Sequence, residues 1–271
     1  MDVAVMIEGQ DGLTWARWQG IARATEEAGL AGLFRSDHFS NPRGEWKDAL
    51  ELWTSLTWLA GHTRRIEFGP LVSPVSFRDP VITAWQAACV DDLSGGRLRL
   101  GMGAGWQVRE HTAFGYDLLE LKERFARFEE GLEVVTRLLR SDAPVSFDGQ
   151  YYRLTEALLM PRPQRRDLPI VIGGKGPRRT LGLVAKYAAE WNVPNTPADE
   201  YRELSARLDR FLKKEGREPR SVRRSMMTSV VFGRDEGELR RKVGDASAED
   251  MRARGRVVGT GPQIVEQLRA L

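Results

Sequence analysis

Short apolar and β-branched runs alternate with helix-period segments along nearly the whole chain, and that alternation limits the fold more than any other feature. Val3-Ala4-Val5-Met6-Ile7 is a continuous apolar run, as a strand buried on both faces requires. In residues 14–28, Trp15, Trp18, Ile21, Ala22 and Ala28 gather near one helical face, and Gly29 stands where a C-terminal cap belongs. The pattern then gives a strand from Leu33-Phe34 that ends in Ser36-Asp37-His38, with further strands at 66–72, 97–101, 169–172, 191–193 and 226–232. Helices are predicted at 48–60, 84–93, 120–140, 178–188, 198–214, 235–243 and 263–271, with a polar stretch before the last.

Strands alternating with helices imply parallel βαβ units. No unit opens with the dinucleotide fingerprint, so the reading is α/β with a TIM (β/α)8-type barrel and not a doubly wound sheet. The 271 residues suit a single barrel domain over 1–271. Residues 141–167 break the pattern after the fourth helix; Asp148-Gly149 is a hairpin signal there, and Pro161 and Pro163 extend the segment, which reads as an insertion. An eighth strand is absent before Leu271. The expectation is a C-terminal truncation, or closure by something else such as a partner subunit in a homodimer.

Composition excludes several function classes. Lys plus Arg is 41 against 38 for Asp plus Glu, a surplus of +3. The arginines at 162–166 and 217–224 are interleaved with Pro, Gly and acids, and read as solvated loops, not as a nucleic-acid stripe. The single Cys89 gives neither an internal disulfide nor a thiolate zinc site, and no metal site is expected. No apolar run is long enough to span a membrane, and the N-terminus lacks a basic n-region, so a cytoplasmic protein is expected. There is no G-x-S-x-G, HExxH or GxxxxGK[ST] motif.

In a parallel barrel the chemistry sits at the C-terminal strand ends. Asp37-His38 lies at one such end, where an imidazole can exchange protons. The bland alternative is a capping acid and a gap-filling ring. The glycines Gly101, Gly103 and Gly105 follow a strand and let the backbone approach something flat, with Trp106 as a wall, although such turns also exist for packing alone. Gly173-Gly174-Lys175-Gly176-Pro177-Arg178 turns from a strand into a helix, with Pro177 at the first helical position; it is a phosphate cradle or a plain βα turn with solvated arginines. Of the other histidines, His62 reads as exposed, and His111 either faces the pocket or supports it.

These stretches carry a family resemblance. IEGQDGLTW (7–15), LFRSDHF (33–39), DALELWTSLTWLA (48–60), RRIEFGPLVSPVSFRDP (64–80), DDLSGGRLRLGMGAGW (91–106), REHTAFGY (109–116), ERFARFEEGLEVV (123–135), GQYYRL (149–154), PIVIGGKGPRRTL (169–181) and AAEWNVP (188–194) run in the order found in the luciferase-like monooxygenase superfamily. Within it the chain resembles the coenzyme F420-dependent oxidoreductases, and VVGTGPQIVEQL (257–268) is similar to the segment before the family's last strand.

The resemblance implies an oxidoreductase that transfers a hydride between coenzyme F420 and a small-molecule substrate. It also leaves open an FMNH2-dependent monooxygenase served by a separate flavin reductase, or a barrel that binds flavin without turnover. By the same resemblance the cofactor phosphate lies at Gly173, Gly174 and Gly176 with Arg178 nearby. The ring packs near Leu71, Val72 and Ser73, where the family often has a non-prolyl cis peptide, and near Gly103, Gly105 and Trp106. Asp37 and His38 match the acid–histidine pair beside the ring, with His38 as proton relay. The sugar-phosphate dehydrogenases of the group carry Glu where this chain has Trp106, and an aromatic soon after the histidine where it has Asn41-Pro42. That departure argues for a flat or apolar substrate.

Overall fold

The computed structural model describes residues 2–270, which form two compact units. The first comprises residues up to 172 together with 187–189; the second comprises 173–186 and the residues from 190 onward.

The first unit opens with β1 (Ala4–Ile7), α1 (Trp15–Glu27), β2 (Gly32–Arg35), α2 (Leu52–His62), β3 (Glu67–Pro70), the short β4 (Ser73–Pro74) and α3 (Pro80–Ser94). It continues through β5 (Leu100–Gly103), α4 (Val108–Phe114), α5 (Leu121–Arg140), the hairpin strands β6 (Val145–Asp148) and β7 (Arg153–Ala157), and β8 (Ile170–Gly173), whose last residue falls in the second unit. β1, β2 and β3 pair in parallel, with Val5 opposite Leu33 and Leu33 opposite Phe68. β5 pairs in parallel with both β4 and β8. A parallel bridge between Phe68 and Leu98 joins β3 to the stretch leading into β5. Leu33, Phe68, Leu98 and Leu100 have no exposure and belong to the core.

The second unit holds most of α6 (Arg179–Tyr187), then β9 (Glu190–Pro194), α7 (Ala198–Lys214), a 3₁₀ turn (Pro219–Ser221), β10 (Arg223–Met227) and β11 (Val230–Phe232). α8 (Glu236–Val243), α9 (Ala248–Ala253), β12 (Val257–Gly259) and α10 (Gly261–Arg269) complete it. β9 pairs in parallel with β10, and β11 with β12. Trp191, Leu208 and Leu212 are fully buried here.

Most elements fall where the periodicity puts them, and the hairpin forms around Asp148-Gly149. The differences have local causes. α3 starts at Pro80 and not at 84, because the Asp79 side chain accepts the Val81 N–H at 2.8 Å and Pro80 is preset for a first turn. α10 starts at Gly261 through a Thr260–Gln263 capping box; its expected last residue, Leu271, lies outside the described residues. Strand seven divides into β10 and β11, and the polar stretch contains α9 and β12, whose three residues are too few to show a period. α4 was not expected. The strand placed at 97–101 runs instead over β5, so Gly101 and Gly103 belong to the strand and not to a turn after it.

The arginine stretches are a further correction. Arg165 pairs with the buried Asp91 at 2.6 Å, and Arg162 donates to the carbonyls of Leu138 and Leu159. Arg217 donates to the Ala185 carbonyl, and Arg224 pairs with Asp209. These guanidiniums tie loops to helices, a use favoured by their five fixed donors.

Gly101 illustrates the tightness of the strand packing: a Cβ there would run into the Pro70 carbonyl oxygen of the neighbouring strand, a backbone atom that cannot swing away. Gly101→Ala should therefore cost about 1–3 kcal/mol, the range for overpacking. Gly20, exposed within α1 with open space around it, should gain about 0.5–1 kcal/mol on change to Ala. Urea unfolding of both variants checks the pair; equal effects at the two positions would refute the account.

Candidate active site

The first unit gathers its polar residues at the C-terminal ends of β1, β2 and β4. Ser36, just past β2, accepts the Gly9 N–H at 2.8 Å and donates to Gln10 Oε1 at 2.6 Å, tying the end of β1 to the end of β2. Beneath them lies Arg35, which donates to Ser55 Oγ and the Leu50 carbonyl at 2.7 Å each. Burial pulls its pKa down to about 10 against the opposing charges of Asp37 and Glu51. A side chain at Gly9 would collide with this guanidinium, so the glycine is what permits the arginine.

Asp37 is 2% exposed. Its Oδ2 accepts from Ser73 Oγ at 2.6 Å and from Arg78 Nη1 at 2.5 Å, and Arg78 Nη2 reaches Glu51 at 2.7 Å. Asp37 and His38 make no hydrogen bond to each other. The carboxylate bonded to His38 is Glu110, from α4.

His38 Nδ1 lies 2.7 Å from Glu110 Oε1, and the Phe39 N–H donates to Glu110 Oε2 at 2.9 Å. Glu110 has no exposure; the His38 side chain keeps 17%. Burial disfavours the imidazolium and is the largest single influence on His38. The Glu110 hydrogen bond and charge, with the charges of Glu8 and Asp37, outweigh it and raise its pKa above the ordinary value. For Glu110, burial pushes upward, but His38 and the Phe39 N–H hold the carboxyl below its ordinary range. Gln107, one turn earlier, donates to the Ser40 carbonyl at 2.9 Å. Trp106 meets the His38 ring edge-on at 5.6 Å and is 58% exposed.

His111 supports and does not face a pocket. It is buried, Nδ1 lies 2.7 Å from the Gln107 carbonyl, Nε2 lies 2.8 Å from Ser76 Oγ, and burial lowers its pKa. His62 is exposed, as read from the sequence.

The peptide bond Leu71–Val72 is cis, where the resemblance places one. A Cβ at Gly103 would press on Val72, and one at Gly105, whose φ is +83°, would crowd Ser76, Pro74 and His111. These residues therefore assemble with Ser73, Asp37, Trp106 and His38 at one set of strand ends in the first unit.

In the second unit, Gly174 has φ +126°, and its N–H donates to the Asn192 carbonyl at 2.9 Å. Its own carbonyl accepts from Trp191 Nε1 at 2.9 Å. A side chain at Gly176 would overlap Thr180 Oγ1. α6 begins at Arg179, so Pro177 lies in the preceding turn and not at the first helical position. Arg178 is exposed, and Lys175 Nζ lies 3.5 Å from Glu200.

Sequence reasoning missed Arg78, Gln107 and Glu110. Arg78 and Glu110 lie in the stretches 64–80 and 109–116 that carry the resemblance, but nothing local marks either as a partner of a strand-end residue. Among the described residues no group of three or more His, Cys, Asp or Glu could hold a metal ion, and no helix is long and apolar enough to cross a membrane.

A family model described as luciferase-like monooxygenase matches residues 3–271. An F420-dependent glucose-6-phosphate dehydrogenase of Amycolatopsis mediterranei (strain U-32) is 38% identical over 167 residues, 60% of this chain and 47% of that protein. One of the same description from Kineococcus radiotolerans is 32% identical over 217 residues, 78% of this chain and 62% of that protein. The chain therefore spans less than two thirds of either relative. A solved F420-dependent secondary alcohol dehydrogenase, in complex with an F420–acetone adduct, matches with a TM-score of 0.80 at 18% identity over 98% of this chain and 81% of that one. Such likeness shows the fold class, α/β with parallel sheets of the TIM-barrel type.

The ion pair has a pH signature. Stability from His38 is fully present below its ordinary pKa of 6.5 and is lost as pH rises through the higher folded value. Stability from Glu110 is present above its ordinary 4.5 and is lost as pH falls through the lower folded value. The stability difference between wild type and Glu110→Gln should then be largest between these limits, which urea midpoints taken from acid to alkaline pH will reveal. A difference independent of pH would contradict the pairing.

Proposed function

The chain belongs to the luciferase-like monooxygenase family, and on that premise we propose that it is an oxidoreductase transferring a hydride between coenzyme F420 and a small organic substrate. The observation that carries the proposal is a half-buried histidine, held by a fully buried carboxylate, at strand ends where the backbone is glycine-rich. The likeness to F420-dependent dehydrogenases supports the choice of cofactor.

The residues present fit such a group. In the first unit His38 keeps Nε2 without a hydrogen-bond partner among the described residues, and the exposed Trp106 meets its ring edge-on. Leu71, Val72, Ser73, Gly103 and Gly105 supply the adjoining backbone, and Asp37 is a fixed acceptor. Within the second unit, Gly173, Gly174 and Gly176 make a turn whose shape tolerates no side chain at Gly176, with the cations Lys175 and Arg178 on it. These features support a phosphate there. When bound, F420 supplies a ring that accepts or releases a hydride. His38 then takes the proton from a substrate hydroxyl in the oxidising direction, or returns it in the reducing one. An imidazole, which can both take up and give back a proton, serves both directions.

Trp106 supports a flat or apolar substrate over a sugar phosphate: an indole cannot pair with hydroxyls as a carboxylate does. The proposal also places the protein in the cytoplasm. The competing reading, reduced FMN and oxygen with a separate reductase, is separated by titration. F420 should quench tryptophan fluorescence saturably, with an affinity that weakens as salt rises, because exposed charges are screened over about 8–10 Å. Tight FMN binding with no saturable response to F420 would defeat the assignment.

His38→Ala should slow the chemical step by about 10²–10⁴-fold, the usual range for general acid–base catalysis. Cofactor affinity should change far less. Single-turnover rates on the cofactor-saturated variant measure it, and an unchanged rate would remove His38 from the reaction.

A further inference from the structure

His38 has two carboxylates for neighbours, and the geometry gives them different work. Asp37 is adjacent in sequence, but its Oδ2 is shared by Ser73 and Arg78, and its Oδ1 lies 3.4 Å from Arg78 Nη2. Glu110 arrives from α4 and is fully buried, with Oε1 on His38 Nδ1 and Oε2 on the Phe39 N–H. One carboxylate thus grips two consecutive residues, a side chain and a backbone, so the imidazole cannot turn without breaking a buried charged hydrogen bond. Gln107, the residue that precedes α4, holds the Ser40 carbonyl two residues further on. Glu8 and Asp37 add negative charge around the ring, and Arg78 covers Asp37.

We propose that Glu110, and not Asp37, is the positioning residue for His38: by accepting from Nδ1 it fixes that nitrogen as the donor, and leaves Nε2 as the nitrogen that takes and returns the proton. The proposal rests on the reading of His38 as proton relay, which it deepens. An ionised carboxylate can only accept. Bonded to Nδ1, it forces the neutral ring to carry its hydrogen there, and the Nε2 lone pair is free.

The isosteric change Glu110→Gln makes this testable. The Phe39 N–H requires an acceptor, so the glutamine oxygen turns to it and the NH2 group faces Nδ1. That group only donates, so Nδ1 must accept, and the neutral ring must carry its hydrogen on Nε2. The bond count is kept and the tautomer reversed.

The chain has three histidines, so ¹⁵N resonances of the imidazoles are assignable by replacing each in turn. In the wild-type protein above the His38 pKa, Nδ1 should appear protonated and Nε2 unprotonated. Glu110→Gln should exchange the two and move the titration to lower pH, whereas Glu110→Asp, which is still acceptor-only, should keep the wild-type tautomer. With F420 and a turned-over substrate, Glu110→Gln should lower the single-turnover rate by about 10²–10⁴-fold, as a wrong tautomer does in an acid–histidine pair, with little change in cofactor affinity. A wild-type ring protonated on Nε2 would overturn the proposal whether or not the variant folds. So would an unchanged tautomer in folded Glu110→Gln, or an exchange produced instead by Asp37→Asn. Failure of F420 to support turnover would count against the cofactor reading alone, since the ring resonances are read without it.

Discussion

Removing a carboxylate from water costs several kcal/mol unless its charge and lone pairs are met inside the protein. Glu110 has no exposure, and it is met from one side by the imidazole of His38 and the N–H of Phe39. Those partners belong to the chain leaving β2, while Glu110 belongs to α4, so the burial is tolerable only when helix and strand end are docked. Gln107, just before this seven-residue helix, repeats the attachment on the Ser40 carbonyl, and His111 within it adds a contact to Ser76. A helix this short has little stability of its own. Its place is set by these buried polar contacts, and they in turn decide how His38 is presented.

A second constraint comes from backbone approach. Gly69 lies against the Arg99 carbonyl and Gly101 against that of Pro70, so β3 and β5 come closer than side chains would allow. Gly103 carries this on to Val72. The strand ends bearing Asp37, Ser73 and Trp106 are thereby brought together by residues with no chemistry of their own. The glycines first stand out as a loop meant for a ligand, yet their observed contacts are with neighbouring backbone and with Val72. A packing role is therefore on the page, whatever else they serve.

Much of this was legible in the sequence. Apolar runs and helical stripes marked the strands and long helices because burial acts on every residue of such an element. His38, Gly103 and Gly105 could be singled out because they sit next to strand ends, a local property. Glu110 and Arg78 could not, since they act on residues 72 and 41 positions away. Nothing near Arg78 distinguishes it from an arginine on a loop. The arginines at 162–166 and 217–224 failed for the same reason: their partners, Asp91 and Asp209 among them, lie on elements that only the fold brings alongside. The resemblance sets Asp37 and His38 together as an acid–histidine pair beside the ring; which carboxylate holds the imidazole is not legible in it, and the Asp37 carboxylate is held by Ser73 and Arg78.

Two acids flank one histidine, and their partners decide what each can do. Asp37 is balanced by a guanidinium, whose charge is permanent across the accessible pH range. Such a pair can set a field and hold a shape. Glu110 is balanced by an imidazole, a group that can gain and lose a proton. Its carboxylate raises the proton affinity of His38 while burial opposes that rise. Of the two pairings, only this one joins a fixed geometry to a movable proton, and it is the pairing that leaves a ring nitrogen uncommitted.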